Sequence, residues 1–321
     1  MSYKIKIQPS NVSYQSENNL LDDALSQSIP LEHSCKNGDC GVCSAEIISG
    51  EILNESAEVV TQGSILTCQS KALSDAILKA NYYPELANIK QQTLPSKVST
   101  ITYAAEDILI LKLRFPPTVQ FKYLAGQYID LIFKGIKRSY SIANACNNSK
   151  EIELHIRKVL NGSMSELLFD NISENQLMRI EGPKGTFFVR DGIKPLIFLA
   201  TGTGIAPVKA MVEALLESND KREIHIYWGM RFQSEIYSHE LKKYSQMHSH
   251  IKFISVLSRE CSSDPKHGYV QDAVLNDVES INSFDVYACG SLTMIEQAKL
   301  LFVGKGLSSE SFYSDAFTPA K

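Results

Sequence analysis

The sequence predicts a multi-domain chain in which a small strand-and-helix domain precedes an antiparallel β-barrel or sandwich and a doubly wound α/β domain. Two changes of rhythm and one cluster of cysteines carry that expectation. Short β-like runs separated by Gly, Pro and Asn fill the middle of the chain. After Lys194, apolar strands alternate with helical stretches, the pattern of a parallel sheet. Three of the seven cysteines, Cys35, Cys40 and Cys43, crowd into one loop near the start and set that region apart. The domains are expected at residues 1–90, 97–192 and 193–321.

The first domain opens with alternating Tyr3, Ile5 and Ile7, which read as a strand, and Leu20 to Leu25 reads as a short amphipathic helix. A strand from Ala45 to Ile48 follows the cysteine loop. From Ala87 to Thr100 the chain turns polar, with Pro95 as punctuation, and this stretch is expected to be a linker. Strands are expected next at Ile108 to Phe115, Tyr128 to Phe133, Arg138 to Ile142 and Ile152 to Val159, with a helix from Met164 to Phe169. In the last domain, Pro195 to Ala200 reads as a buried strand, and a glycine turn and the helical run Val208 to Glu217 follow it. Further strands are expected at Glu223 to Trp228, Lys252 to Leu257 and Asp285 to Ala288.

Composition narrows the function. A formal net charge of −4 argues against electrostatic binding of nucleic acid. No apolar run approaches the roughly 20 residues that span a bilayer, and the N-terminus lacks a signal peptide's apolar core. The chain is expected in the cytoplasm, where a cysteine cluster reads as a metal site before it reads as crosslinks.

Cys35, Cys40 and Cys43 form C-x4-C-x2-C, and Cys68 supplies a fourth thiolate from a distant segment. That spacing matches a plant-type 2Fe–2S cluster, with a potential of order −400 mV. Gly38 and Gly41 let the loop wrap closely enough for backbone N–H groups to reach the sulfurs. A structural zinc site is the alternative. Zinc usually takes two C-x2–4-C knuckles, and only one such pair is present.

The strand ending at Ala200 runs into Thr201-Gly202-Thr203-Gly204-Ile205-Ala206-Pro207 and then a helix. Glycines there let the backbone approach a dinucleotide, and the helix N-terminus favours its pyrophosphate; Thr203 and Gly204 are the candidate contacts. Arg231 ends the next strand, at the edge where open α/β sheets bind ligands, and is either a nucleotide contact or an exposed structural arginine.

Arg138-Ser139-Tyr140-Ser141 resembles the flavin signature of the ferredoxin–NADP reductase superfamily. With the cysteine cluster in front, the chain resembles the reductase components of multi-protein oxygenases and deoxysugar dehydrases. The resemblance implies a β-grasp plant-type ferredoxin domain, a β-barrel FAD domain and a doubly wound NAD domain. It implies that Arg138 faces the flavin pyrophosphate, Tyr140 packs on the isoalloxazine, and Ser141 bonds near its reactive nitrogen. His155 and Arg157, with Gly162, Ser163 and Ser165, resemble a second flavin patch; a serine N-cap on an ordinary helix is the plainer reading.

Cys289-Gly290-Ser291-Leu292-Thr293-Met294 resembles the superfamily's Cys-Gly motif beside the nicotinamide, although buried cysteines are usually packing. The C-terminal segment resembles the superfamily's closing strand. Asp315 there stands where many relatives carry Glu, and Phe317 is placed to shield the flavin or to serve as core. Ser141, Cys289 and Asp315 are expected to meet at the reacting atoms.

The implied route runs from NADH, preferred over NADPH, to FAD, to the 2Fe–2S cluster and on to an electron-accepting protein. Cluster-first order and the segment LEHSCKNGDCGVCSAEIISGEI most resemble the CDP-6-deoxy-Δ3,4-glucoseen reductase family, whose partner is a pyridoxamine-phosphate-dependent sugar dehydrase. Reductases of aromatic-ring or alkane oxygenases share that order. A zinc-stapled nucleotide-binding regulator is the alternative from another class.

Overall fold

The structure is a computed structural model, and it describes residues 1–33, 38, 41–146, 150–260 and 266–317. It divides into two compact units, Met1–Gln91 with Lys184–Thr186, and Gln92–Pro183 with Phe187–Lys321.

The first unit carries β1 (Tyr3–Gln8), β2 (Ser13–Ser16), α1 (Leu20–Ser26), β3 (Ser44–Ser49), β4 (Ile52–Leu53), β5 (Val59–Val60), β6 (Gly63–Leu66), β7 (Lys71–Ala72) and β8 (Ala76–Lys79). Its main sheet runs β2-β1-β8-β3-β6, with β1 parallel to β8, and β4, β5 and β7 form a small second sheet. Helix α1 begins where Asn19 accepts from the amides of Leu21 and Asp22. Its apolar face, Leu20, Leu21 and Ala24, packs with Ile5, Ile7, Ile47 and Leu78. This is the expected β-grasp arrangement.

The second unit begins with β9 (Gln92–Ala105), β10 (Ile108–Arg114), β11 (Tyr128–Phe133), β12 (Ile136–Ser141), β13 (Glu151–Arg157), α2 (Ser163–Asn171) and β14 (Leu177–Lys184). The sheet order is β12-β11-β14-β9-β10-β13. An antiparallel bridge between Ile142 and Leu154 brings the chain after β12 to β13, so the outer strands of the sheet curl toward each other. The polar stretch expected as a linker is largely strand: β9 pairs with both β10 and β14. Thr93, Pro95 and Lys97 face solvent while Ser96 and Val98 are buried, so one polar face disguised the strand.

The remaining elements are β15 (Leu196–Thr201), α3 (Ile205–Glu217), β16 (Ile224–Met230), α4 (Glu240–Met247), β17 (Ile251–Leu257), β18 (Lys266–His267), α5 (Val270–Asp277), β19 (Asp285–Ser291), α6 (Leu292–Gly304) and β20 (Phe312–Phe317). The strands pair in parallel in the order β18-β17-β16-β15-β19-β20. Leu196, Phe198 and Ala200 pack with α3 and α4 residues on one face, while Ile197 and Leu199 pack with α5 and α6 residues on the other. The sheet is doubly wound, as expected. Each fully buried Leu, Ile or Phe in it contributes about 1.5–3 kcal/mol. Chain order reverses between β15 and β19, which makes the gap beyond their carboxyl ends the topological switch point.

Candidate functional site

The thiol pair is set by strand register. Ser44 opens β3 opposite Leu66, which closes β6, so Cys43, just before Ser44, and Cys68, just past Thr67, lie outside the same paired ends. The Thr67 amide and hydroxyl both donate to the Cys43 carbonyl at 3.0 Å, and Asn19 Nδ2 donates to the Cys68 carbonyl at 2.6 Å. The two buried sulfurs lie 3.0 Å apart as free thiols, well beyond a disulfide length of about 2.05 Å. Burial and the neighbouring Cys43 push the Cys68 thiol up to about 11, against a hydrogen bond from the Gly38 amide. A cationic metal centre held by Cys43 and Cys68 would reverse that penalty. Gly38 and Gly41 adopt φ of +90° and +69°. The pair fits an iron–sulfur ligand set; Cys35 and Cys40 lie outside the described residues, and among the described residues no group of three such side chains assembles.

Arg138 and Tyr140 lie on β12, half-buried, with Arg138 Nη1 donating to the Lys137 carbonyl at 2.7 Å. Burial pushes the Tyr140 phenol up to about 12 against the Arg138 charge, and its ring packs on the core of this sheet. Ser141 is buried at the end of the strand. Helix α2 packs against β12, the strand that carries Arg138. Its cap, Gly162, offers no side-chain bond, which leaves the first helical amides to a ligand or to water. Ser163 is exposed. Ser165 is buried and turned inward: it accepts from the Val159 amide at 3.0 Å and donates to the Gly162 carbonyl at 3.0 Å. An uncapped helix N-terminus, on a helix packed against the strand of Arg138, fits a pyrophosphate.

His155 and Arg157, expected on a flavin, are committed to protein groups. The His155 ring nitrogens contact the Tyr237 hydroxyl at 2.9 Å and Glu153 Oε1 at 3.0 Å. Arg157 Nε donates to Asp107 at 2.7 Å and Nη2 to Glu235 at 3.4 Å.

At the switch point, Gly202 has φ +58° and the chain turns through Thr203 and Gly204 into α3, which also lacks a side-chain cap. Thr203 is half-buried and Gly204 buried. Gly290 has φ +134°, and a Cβ there would lie 2.8 Å from the Thr201 carbonyl oxygen. Cys289 and Asp315 are register partners in β19 and β20. Burial and the Asp315 charge push the Cys289 thiol well up. Burial pushes the Asp315 carboxyl up to about 6, and among the described residues it has no hydrogen-bond or ion-pair partner. The structure thus joins Cys289 to Asp315, and no hydrogen bond links either to Ser141. Phe317 stands half in solvent at the end of β20, paired in register with Ser291. Arg231 is exposed and tied to Glu235 through its backbone amide and its Nε, both at 2.9 Å.

Sequence reasoning missed Lys209. It is buried on α3 between Glu153 at 3.2 Å, Glu213 at 2.8 Å and Glu240 at 3.2 Å, and donates to the Ala143 carbonyl. Burial opposes the Glu153 charge, but the His155 bond and the Lys209 charge hold its carboxyl down at about 2. A lysine in the apolar run Ile205–Val212 was the available signal.

The chain matches the 2Fe-2S iron-sulfur cluster binding domain over residues 5–73, the oxidoreductase FAD-binding domain over 95–189 and the oxidoreductase NAD-binding domain over 198–299. With the fold and the thiol pair, these matches define an iron–sulfur flavoprotein, an NAD(P)H-dependent reductase with a 2Fe–2S cluster and FAD. The Amycolatopsis reductase GcoB shares the fold, with a TM-score of 0.78 and 25% identity over 99% of this chain and 100% of that one. Reductase component 1 of terephthalate 1,2-dioxygenase from Comamonas is 29% identical over 99% of this chain and 98% of its own. Identity reaches 49%, over 100% of both chains, with the CDP-6-deoxy-L-threo-D-glycero-4-hexulose-3-dehydrase reductase of Yersinia pseudotuberculosis. The chain belongs to that reductase family. No helix among the described residues is long and apolar enough to cross a membrane.

Proposed function

We propose that this chain is the NADH-dependent electron donor to a CDP-deoxysugar 3-dehydrase. The observation that carries this reading is identity of 49% over 100% of both chains with the Yersinia reductase, against 29% with the terephthalate dioxygenase component. The chemistry the bound groups supply is a two-electron hydride transfer followed by one-electron steps to the acceptor.

The protein's part is placement. In this reading Cys35, Cys40, Cys43 and Cys68 hold the cluster. Arg138 and the N-terminus of α2, with Gly162, Ser163 and Ser165, take the flavin pyrophosphate, and Tyr140 covers the ring system. Thr203 and Gly204 admit the dinucleotide backbone, with Arg231 near its ribose. Ser141, Cys289, Gly290 and Asp315 border the reacting atoms, and Phe317 covers them between turnovers. The working domains are 1–90, 97–192 and 193–321. A reducing, cytoplasmic setting agrees with free thiols at Cys43, Cys68, Cys146 and Cys289.

The test mixes purified chain, NADH and a CDP-6-deoxy-hexulose 3-dehydrase loaded with substrate and cofactor. The expected result is deoxysugar product formed at the expense of NADH. Turnover with an oxygenase component and none with the dehydrase assigns the chain to oxygenase chemistry instead. A preparation containing zinc, without iron or NADH-dependent dye reduction, overturns both.

A further inference from the structure

His155 lies on β13, and both of its ring nitrogens are used inside the protein. Glu153 carries two lysine partners, Lys209 at 3.2 Å and Lys112 at 3.4 Å, and so presents a carboxylate, an acceptor only. The His155 Nε2–H donates to it, and in the neutral ring Nδ1 then accepts from the Tyr237 hydroxyl at 2.9 Å. The Tyr237 ring meets Trp228 edge-on, centroids 5.2 Å apart and planes at 88°. Trp228 Nε1–H then donates to the Gly202 carbonyl at 2.9 Å, and Gly202 is the residue at φ +58° that turns the chain into Thr203 and Gly204. His155, Tyr237 and Trp228 are 5%, 9% and 0% exposed, so water does not compete for these bonds.

We propose that His155 and Tyr237 are positioning residues that fix the Gly202 peptide, through Trp228, from the neighbouring sheet. The proposal rests on reading Gly202–Gly204 as the nicotinamide-dinucleotide turn. The relay joins an anchored ion pair on β13 and α3 to one carbonyl at the switch point. Hydride transfer depends steeply on the placement of the reacting atoms, so a loosened turn slows the step more than it weakens binding. Tyr237→Phe keeps the ring that packs on Trp228 and removes only the hydroxyl that orients it. His155→Gln perturbs the same link from the other side.

The chain contains a single tryptophan, so one indole N–H resonance reports the Trp228–Gly202 bond directly. The experiment records that resonance in 15N-labelled holoprotein, alone and with NAD+, and then follows flavin reduction by NADH in stopped flow. The expected result for Tyr237→Phe is a shifted indole resonance before NAD+ is added and unchanged FAD content. Its limiting reduction rate should fall about 10-fold, with the apparent Kd for NADH changed less than about threefold. His155→Gln should move the resonance in the same direction. An unmoved resonance with an unchanged rate overturns the relay, and so does loss of FAD in proportion to rate, which would return His155 to flavin binding. Wild-type protein that NADH does not reduce overturns the underlying reading instead, before any variant is compared.

Discussion

Gly204 packs directly on the backbone of Cys289: a Cβ at residue 204 would strike the cysteine's carbonyl oxygen and lie 2.6 Å from its carbonyl carbon. The contact locks the start of α3 to the end of β19 across the switch point. Gly204→Ala must therefore separate the two strand ends, an overpacking that costs about 1–3 kcal/mol. Lower thermal stability and weaker NADH binding are expected together. Gly304→Ala is the control, because its added methyl meets nothing within 4 Å and the position ends helix α6. Calorimetry on both variants checks the contrast; equal midpoints would remove the steric argument.

The thiol pair allows a separable test of the first unit. Cys68→Ser removes one buried sulfur that stands 3.0 Å from Cys43. Loss of the cluster's visible absorbance is expected, with loss of cytochrome c reduction. Dye-linked NADH oxidation should stay within about twofold, since that chemistry needs only the FAD- and NAD-binding domains. Loss of both activities with FAD retained would show that the two units do not work independently.

The strand β15 and its glycine turn were legible because a run of buried apolar residues and a turn of small ones are local signals. The cysteine spacing was legible for the same reason. Strand β9 was not, because its outward face is Thr93, Pro95 and Lys97 and its inward face includes Ser96. The role of His155 was hidden more deeply. Its partner Tyr237 lies 82 residues away, in the loop before α4, and no periodicity reports such a pair. Lys209 broke an apolar run, yet only the fold shows three carboxylates closing on it.

Glu235 explains an expected preference for NADH. Its carboxylate binds Arg231 and Arg157, and although burial opposes ionisation, the Arg231 bonds hold its pKa below the usual carboxylate value. A fixed negative charge there repels a ribose 2′-phosphate, and it also occupies the arginine that could receive one. Steady-state kcat/KM should favour NADH. Glu235→Ala frees Arg231 and should raise kcat/KM for NADPH about 10-fold. A wild-type preference for NADPH by that margin would overturn the assignment.

Asp315 sets a pH dependence whose sign follows from its environment. Burial lifts its carboxyl from the usual 3.8 to about 6, so the folded protein disfavours the charged form. The cost is therefore full above about pH 6 and fades as pH falls through the window from 6 to 3.8. Asp315→Asn should be more stable than wild type at pH 8, and the difference should shrink toward pH 4. Denaturant unfolding at the two pH values reads it directly. A constant difference would mean that Asp315 ionises as it does in the unfolded chain.

Cys289 is completely buried, yet it stands at the carboxyl end of β19, in register with Asp315 and next to Gly290 at φ +134°. Burial and the Asp315 charge keep its sulfur protonated at neutral pH, which makes it a small, weak donor and not a nucleophile. A group of that size at a strand end fixes the approach of a ring without blocking it. Cys289→Ala should slow flavin reduction in stopped flow about 10-fold, close to 1.4 kcal/mol in the barrier. FAD content and NADH affinity should change far less, because the uncapped starts of α2 and α3 are untouched. Cys289→Ser keeps a donor of similar size and should recover part of the rate. If alanine and serine variants both match wild type, the sulfur is packing, and the placement of the nicotinamide falls to the backbone of Gly204 and Gly290 alone.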